Sequence, residues 1–379
     1  MKRAMRFVTF FICTSLTLVL MTPLALALNR RTHLTDFIAS TKGTTGGFQA
    51  TTLASTDSQG IPDLISSSYA INMSLYFGKT AKDVQDTSSW ILDNLKTTDH
   101  GFRIGAGETK ASMKGMYLAI SALNSTGMIN SLGLEFRTWI TNQRNVSSGG
   151  FSDEEGGITT TMATYHAIDA LYSFGNTSLL LSYNESLNFY FQNCSNSDGG
   201  FAEIIGQSST LEGTWAAVAG LNRLALLVGF TLSDALNVTK TLQYVSQFYF
   251  SNQTDDFNYG GYGTSGRATV RDTYYSQKIY SLLGEDNPKK DQVQKYLLSC
   301  QNSVDGGFAE KNADASYGTS SVITSFFAFD ALMTFDNQLG MLNEEVWFLP
   351  FDYVLLIIVL AIIIVVLAVG VRYYRKHRD

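Results

Sequence analysis

Apolar positions recur along this chain in two alternating textures. In "DVQDTSSWILDNLK" the residues Val84, Trp90, Ile91 and Leu95 fall at three-and-four spacing with polar residues between them. That spacing predicts a helix with one wet face. "LGLEFRTWITNQ", "LSYNESLNFYFQN", "VTKTLQYVSQFYFSN" and "KKDQVQKYLLSCQN" repeat it. Between these lie "ISSSYAINMSLYFG", "KASMKGMYLAISALNSTG", "TTTMATYHAIDALYSFG", "LEGTWAAVAGLNRLALL", "RDTYYSQKIYSLLG" and "TSSVITSFFAFDALMTF". They are apolar on most faces, rich in small residues, and often end at Phe-Gly or Leu-Gly. Such segments predict buried helices with a glycine C-terminal cap.

A glycine-aromatic loop separates the two textures. Its aromatics are Phe48, Phe102, Phe151, Phe201, Tyr262 and Phe308, at intervals of 54, 49, 50, 61 and 46 residues. Paired glycines supply positive φ and close backbone approach. Asp198 and Asp305 are placed to accept turn N–H groups, and Gln301-Asn302 to satisfy carbonyls at the helix end. The aromatic is expected to wedge between neighbouring helix pairs. A period near fifty implies a repeat architecture, and an open array would need polar end caps that the chain does not show. The expectation is therefore an all-α (α/α)6 toroid of six helix hairpins over residues 34–336. Its amphipathic helices form an outer ring and its apolar helices an inner ring.

Both ends carry membrane signals. Lys2, Arg3 and Arg6 precede an apolar run that closes on Ala25-Leu26-Ala27. Residues 1–27 thus read as a signal peptide or an uncleaved anchor. Residues 337–353 form a juxtamembrane linker with an aromatic belt at Trp347, Phe348, Phe351 and Tyr353. The uncharged run 354–371 would span roughly 27 Å as a helix, enough for a bilayer core. A basic tail, 372–379, belongs in the cytoplasm and places the toroid outside it, on a single-pass membrane protein. Sequons at Asn72, Asn124, Asn145, Asn176, Asn184, Asn193, Asn237 and Asn252 all fall in that external region and are glycosylation candidates. A net charge of −6 gives no basic stripe for nucleic acid. Cys194 and Cys300 lie in units four and six, and six-fold closure keeps them too far apart to bridge.

"CQNSVDGGFAE" and "CSNSDGGFAE" resemble the repeat of the prenyltransferase and terpene-cyclase toroid superfamily, and the likeness extends over roughly Leu34 to Asp336. The resemblance implies the fold, with a central cavity lined by inner-helix N-termini. It implies less about chemistry, because one fold hosts several reactions. Protein prenyltransferases hold zinc with an aspartate and a cysteine two apart, and with a histidine on a later inner helix. Here "TLEGTWAAV" puts Glu212 and Thr214 in the first two places, and "VRDTYYSQK" has no histidine. No cofactor is expected, zinc included. The cyclase Asp-x-Asp-Asp motif is replaced by "SDEEGG". Its Asp153, Glu154 and Glu155 read as solvated turn residues, or as a weak calcium site. The Cys-Gly-Glu-Gln stretch of the thioester domains is missing.

By register the cavity should receive Lys110, Lys114, Thr161, Tyr165, Glu212, Trp215, Arg271, Tyr275, Tyr317 and Ser320. Unit five adds Arg267 and Tyr274. Aromatic faces beside guanidinium groups suit sugars, lipid head groups or anions; the alternative is a surface Arg271–Asp272 pair with the tyrosines in the core. His166 is either a core histidine or a general base. Three functions follow. The first is a membrane-anchored toroid that binds an unknown ligand or protein partner. The second is a divergent enzyme acting on isoprenoid or polysaccharide, its acid–base set drawn from Glu212, Asp272 and His166. The third is a surface scaffold whose cavity is plugged by aromatics.

Overall fold

The computed structural model describes residues 28–51, 61–312 and 320–346. Thirteen α-helices occur among them. The predicted signal segment, the membrane span, the basic tail, the aromatic belt and Tyr317 lie outside the described residues. Within them, no helix is long and apolar enough to cross a membrane.

The described residues fall into two compact units, 28–33 with 340–346, and Leu34–Leu339. In the first, the two-residue strands β1 (Leu28–Asn29) and β2 (Glu345–Val346) pair antiparallel. Asn29 then accepts the Thr32 N–H at 2.7 Å and starts helix α1 (Arg30–Ser40).

The second unit is built of helix hairpins. The outer members are α1, α3 (Gln85–Asn94), α5 (Leu134–Asn142), α7 (Thr177–Cys194), α10 (Val238–Ser246) and α12 (Lys290–Ser299). The inner members are α2 (Leu64–Tyr76), α4 (Met113–Ser125), α6 (Thr161–Ser173), α8 (Leu211–Val228), α11 (Val270–Leu282) and α13 (Val322–Met333). A short turn of helix, α9 (Leu232–Ala235), interrupts the return from α8 to α10. Each inner helix packs on the next, and α13 packs back on α2. The ring is closed.

Outer helices bury a triplet at spacing i, i+3, i+4, as in Leu34/Phe37/Ile38, Phe136/Trp139/Ile140 and Val293/Tyr296/Leu297. The middle member is aromatic each time, and it lies flat on the second loop glycine of the preceding unit. A Cβ on Gly47 would stand 2.8 Å from Trp90, one on Gly200 2.8 Å from Tyr244, and one on Gly307 2.7 Å from Phe37. The last contact joins unit six to unit one. So does the bond from the Val322 N–H to the Ala50 carbonyl, 2.9 Å, which repeats Met113 to Asp153 and Thr161 to Glu203 elsewhere in the ring. The first outer helix, α1, completes the five outer segments read from sequence.

Each inner helix begins alike. Asp63, Ser112, Thr160, Thr210, Thr269 and Ser321 are N-caps whose side chains accept the N–H three residues on. Four residues after five of these caps sits a hydroxyl (Ser67, Thr164, Thr214, Thr273, Ser325) that accepts the N–H of the loop aromatic. The aromatic is thereby locked into the core; Phe151 and Phe308 are fully buried.

Several sequence expectations are corrected in detail. Asp153 is exposed, as expected of a solvated turn residue, but it also accepts the Lys114 N–H at 3.0 Å and so helps cap α4. Gln301 donates to Gly306 O and Asn302 accepts from Val304 N, so both hold the loop. Asp272 pairs with Thr264, through both its N–H at 2.9 Å and its hydroxyl at 3.1 Å, instead of Arg271. Cys194 and Cys300 are both buried, with no bridge between them. Asn72 lies within inner helix α2 and accepts the Ser125 hydroxyl at 2.9 Å, whereas Asn124, Asn145, Asn193, Asn237 and Asn252 are exposed. Asn176 and Asn184 are half-buried.

Candidate functional site

The inner ring encloses a central cavity of about 280 Å³. It is layered because a helix returns to one face every three to four residues. Counted from the N-caps, the second position supplies the mouth with Lys114, Met162 and Glu212; the fifth and sixth supply an aromatic collar; the ninth supplies Lys278 and Asp330 to the floor. Asn222 and Arg223 join the floor from farther along α8.

Every inner helix contributes a ring to the collar. Tyr69 stacks on Phe326 with centroids 4.0 Å apart, and Tyr274 on Phe327 at 4.8 Å. Trp215 meets Tyr165 edge-on at 5.1 Å and Tyr275 at 5.1 Å. Tyr117 stacks on the His166 imidazole at 4.5 Å. Burial pushes the phenols of Tyr117, Tyr274 and Tyr275 well above the usual tyrosine range, and the nearby Glu212 carboxylate adds to this at Tyr275. All three stay protonated as hydrogen-bond donors. Burial, with the Lys114 charge, pushes His166 down to about 3, so the imidazole is neutral at physiological pH.

Several charged groups of the cavity have partners. Tyr275 donates to Glu212 at 2.9 Å. Arg223 Nε bonds Asp169 at 2.8 Å and its guanidinium lies 4.5 Å from the Tyr172 ring centroid. Burial alone would lower the Arg223 pKa, but the Asp169 carboxylate more than offsets it and holds it above the ordinary value. Lys278 meets Asp330 at 3.1 Å.

Of the residues named from sequence, the cavity brings together Lys114, Tyr165, His166, Glu212, Trp215, Tyr274 and Tyr275. It leaves out others. Lys110 is exposed and pairs with Glu154 at 3.3 Å. Thr161 donates to Ala202 O at 2.6 Å, holding two units together. Arg267 and Arg271 are exposed, with the Arg271 N–H on Glu310 at 3.3 Å. Ser320 is buried away from the cavity lining, and Asp272 is committed to its loop. Tyr69, Tyr117, Phe326, Phe327, Arg223, Lys278 and Asp330 were not named from sequence. The signal that finds the rings is an aromatic five or six residues after each N-cap.

A family model, the prenyltransferase alpha-alpha toroid domain, matches residues 2–189 and 158–343. The chain belongs to this family. The fold is similar to that of the Candida albicans protein geranylgeranyltransferase-I complexed with GGPP, at a TM-score of 0.58 and 15% identity, covering 75% of this chain and 86% of that one. It is also similar to the type II terpene cyclase MstE from Scytonema, at a TM-score of 0.60 and 11% identity, covering 82% and 98%. A wild-type glycosidase matches at a TM-score of 0.53 and 12% identity, covering 82% and 96%. At such identities the likeness establishes the fold alone. A search of curated proteins finds no match.

Within this toroid family the donors for a zinc ion can be tested against the residues present. Thr214, where a thiolate is required, is buried and committed: it donates to Thr210 O at 2.7 Å and accepts the Phe201 N–H at 2.9 Å. Glu212 is engaged by Tyr275, and among the described residues no three His, Cys, Asp or Glu side chains are grouped to hold a metal. The donor set does not fit zinc, which needs three or four ligands.

Proposed function

We propose that this is a membrane-anchored, extracytoplasmic toroid that binds a small organic ligand in its central cavity without a zinc-dependent transfer reaction. The observation that carries the reading is the collar: all six inner helices aim rings into one space of about 280 Å³, and ion pairs line its floor. Apolar walls with a few convergent polar groups are the usual form of a ligand site. The predicted span 354–371, the basic tail and the sequons support the anchored, external placement.

The test is thermal unfolding of the full-length protein in detergent against a panel of small metabolites and lipids. A ligand that raises Tm for the native chain and not for Trp215→Ala supports the reading. A panel without any such ligand, together with full accessibility of the toroid to cytoplasmic protease in cells, counts against both of its parts. A second reading, an acid–base enzyme, is favoured by one observation: Glu212 stands exposed at the mouth with its carboxylate held by Tyr275. It requires that Glu212→Gln abolish turnover of the bound ligand without lowering Tm.

A further inference from the structure

Carboxylates beside the inner-helix starts mostly serve the fold. Asp63 accepts the Ser66 N–H at 2.8 Å, Asp153 the Lys114 N–H at 3.0 Å, Glu203 the Met162 N–H at 3.1 Å, Asp272 the Thr264 N–H at 2.9 Å and Glu310 the Arg271 N–H at 3.3 Å. Glu212, in the first turn of α8, differs. Its partner among the described residues is the Tyr275 hydroxyl at 2.9 Å, a neutral group, and no cation closes an ion pair with it. The start of α8 is also the joint that lacks a latch. Elsewhere the first inner-helix N–H bonds a carbonyl of the neighbouring loop: Leu64 to Ile104, Met113 to Asp153, Thr161 to Glu203, Val270 to Glu310 and Val322 to Ala50. The equivalent bond from Leu211 to Thr264 is not made, and Thr264 is tied instead to Asp272 of its own unit. The rim is thus left unlatched beside Glu212.

Next to this carboxylate the collar supplies rings. Trp215, one turn on from Glu212, has its ring centroid 5.1 Å from that of Tyr275 and 5.8 Å from that of Tyr274, and Tyr274 stacks on Phe327 at 4.8 Å. The field of Glu212 reaches Tyr69 on the opposite wall, where it adds to burial in holding that phenol above the ordinary range. The cations of the cavity answer other acids. Arg223 faces Asp169 and Lys278 faces Asp330. Lys114 makes no ion pair among the described residues, but it lies close enough to Asp63 and Asp153 for its charge to favour both carboxylates, and Arg271 does the same for Glu310.

These charges sort the possible occupants. An anion drawn by Lys114 would have Glu212 in the same walls, with Asp63 and Asp153 competing for the ammonium. A neutral apolar molecule on the rings would strip water from Glu212 and leave a carboxylate with only a phenol for company, which is costly. A metal ion would want several oxygen donors, and among the described residues no three His, Cys, Asp or Glu side chains are grouped to supply them. An organic ammonium ion gives Glu212 a counter-charge and lays its alkyl groups on ring faces that attract a cation. We propose that the central cavity of this protein binds a small organic ammonium ion, its charge held between Glu212 and the rings of Trp215 and Tyr275. This rests on the cavity being a ligand site, and it names the class of ligand.

The test uses the full-length protein in a maltoside detergent, since a head group carrying a quaternary ammonium would compete. Calorimetry compares choline with neohexyl alcohol, its uncharged isostere with carbon in place of nitrogen, and with inorganic phosphate. Choline is expected to bind at least about tenfold more tightly than either. Glu212→Gln should bring choline down to the level of the isostere, and Trp215→Ala should weaken choline by about the same factor. Circular dichroism and Tm establish that each variant is folded. If the isostere binds as tightly as choline and Trp215→Ala releases it, the ammonium inference is overturned and the ligand-cavity reading stands. Choline binding that Glu212→Gln leaves unchanged also overturns it, by locating the charge elsewhere, as does phosphate binding more tightly than choline. If no probe binds, the ammonium inference falls, and the ligand-cavity reading falls with it when the wider panel of metabolites and lipids also leaves Tm unchanged.

Discussion

Gly199 has φ +90°, and a Cβ there would lie 2.4 Å from the Lys240 carbonyl oxygen. Backbone conformation and neighbouring backbone both forbid a side chain. Gly199→Ala is expected to lower stability by about 2 kcal/mol, read as a shift in denaturation midpoint. In unit two His100 occupies the equivalent place with φ +66°, where glycine would relieve strain. His100→Gly is expected to raise stability by about 0.5–1 kcal/mol, less whatever its edge contact with Phe136 contributes. His166 bears on pH. It is flanked by Lys114 and Tyr117 on α4 and by Tyr165 on its own helix, and its folded pKa, about 3, is below the ordinary histidine value. Stability from the neutral form is complete above about pH 6.5 and is lost as pH falls toward 3. His166→Gln should remove an acid-side slope on the order of 1 kcal/mol per pH unit in that window, seen by comparing unfolding curves at several pH values.

At the scale of the element, the inner-helix start is the repeated device. The N-cap fixes where the helix begins, and the hydroxyl four residues later pins the loop aromatic against it. Thr273 accepts the Tyr262 N–H at 3.0 Å and donates to Thr269 O at 2.6 Å. Thr273→Val keeps the shape and leaves a buried N–H unpaired. It should cost about 2 kcal/mol, with hydrogen exchange at the Tyr262 amide faster than in the native chain. The carboxylates two residues after the loop aromatic work across units. Glu203 accepts the Met162 N–H at 3.1 Å and Glu310 the Arg271 N–H at 3.3 Å. They seat the positive ends of inner helices against the neighbouring loop, where a negative charge is favourable. Burial raises the pKa of both, so their charged forms oppose folding, and the cost of that charge is relieved as pH falls through their raised values.

Across the whole molecule the seam between units six and one is built like the other joints, with Phe37 over Gly307 and Val322 bonded to Ala50. A closed ring shares the strain of any broken joint among all units, whereas an open array frays from its ends. Phe37→Ala, at a side chain 1% exposed, should cost about 3–5 kcal/mol and raise hydrogen exchange in α2 and α13 together. A change confined to α1 would contradict closure. The native chain should meanwhile unfold its toroid in a single transition by fluorescence and circular dichroism alike.

The repeat, the two helix textures, the glycine loops and their closure into a toroid were legible in the residue order, because each follows from local rules: spacing three or four for a buried stripe, glycine for positive φ, an acid for turn N–H groups. Helix α1 was harder to see, since its stripe is only Leu34, Phe37 and Ile38 in an otherwise polar segment. Lys114, Tyr165, Glu212, Trp215 and Tyr275 were legible by register; Tyr274 stood out in the aromatic cluster of unit five, and His166 as a histidine within an inner helix. Lys110, Arg267, Arg271 and Asp272 looked equivalent in the chain yet turn to solvent or to their own loop, because a helix face is shared out by neighbours that the residue order does not name. The pairs Arg223–Asp169 and Lys278–Asp330 join residues 54 and 52 apart. Only the packing of adjacent inner helices brings them together, and only that packing sets Glu212 against the Tyr275 phenol instead of a cation.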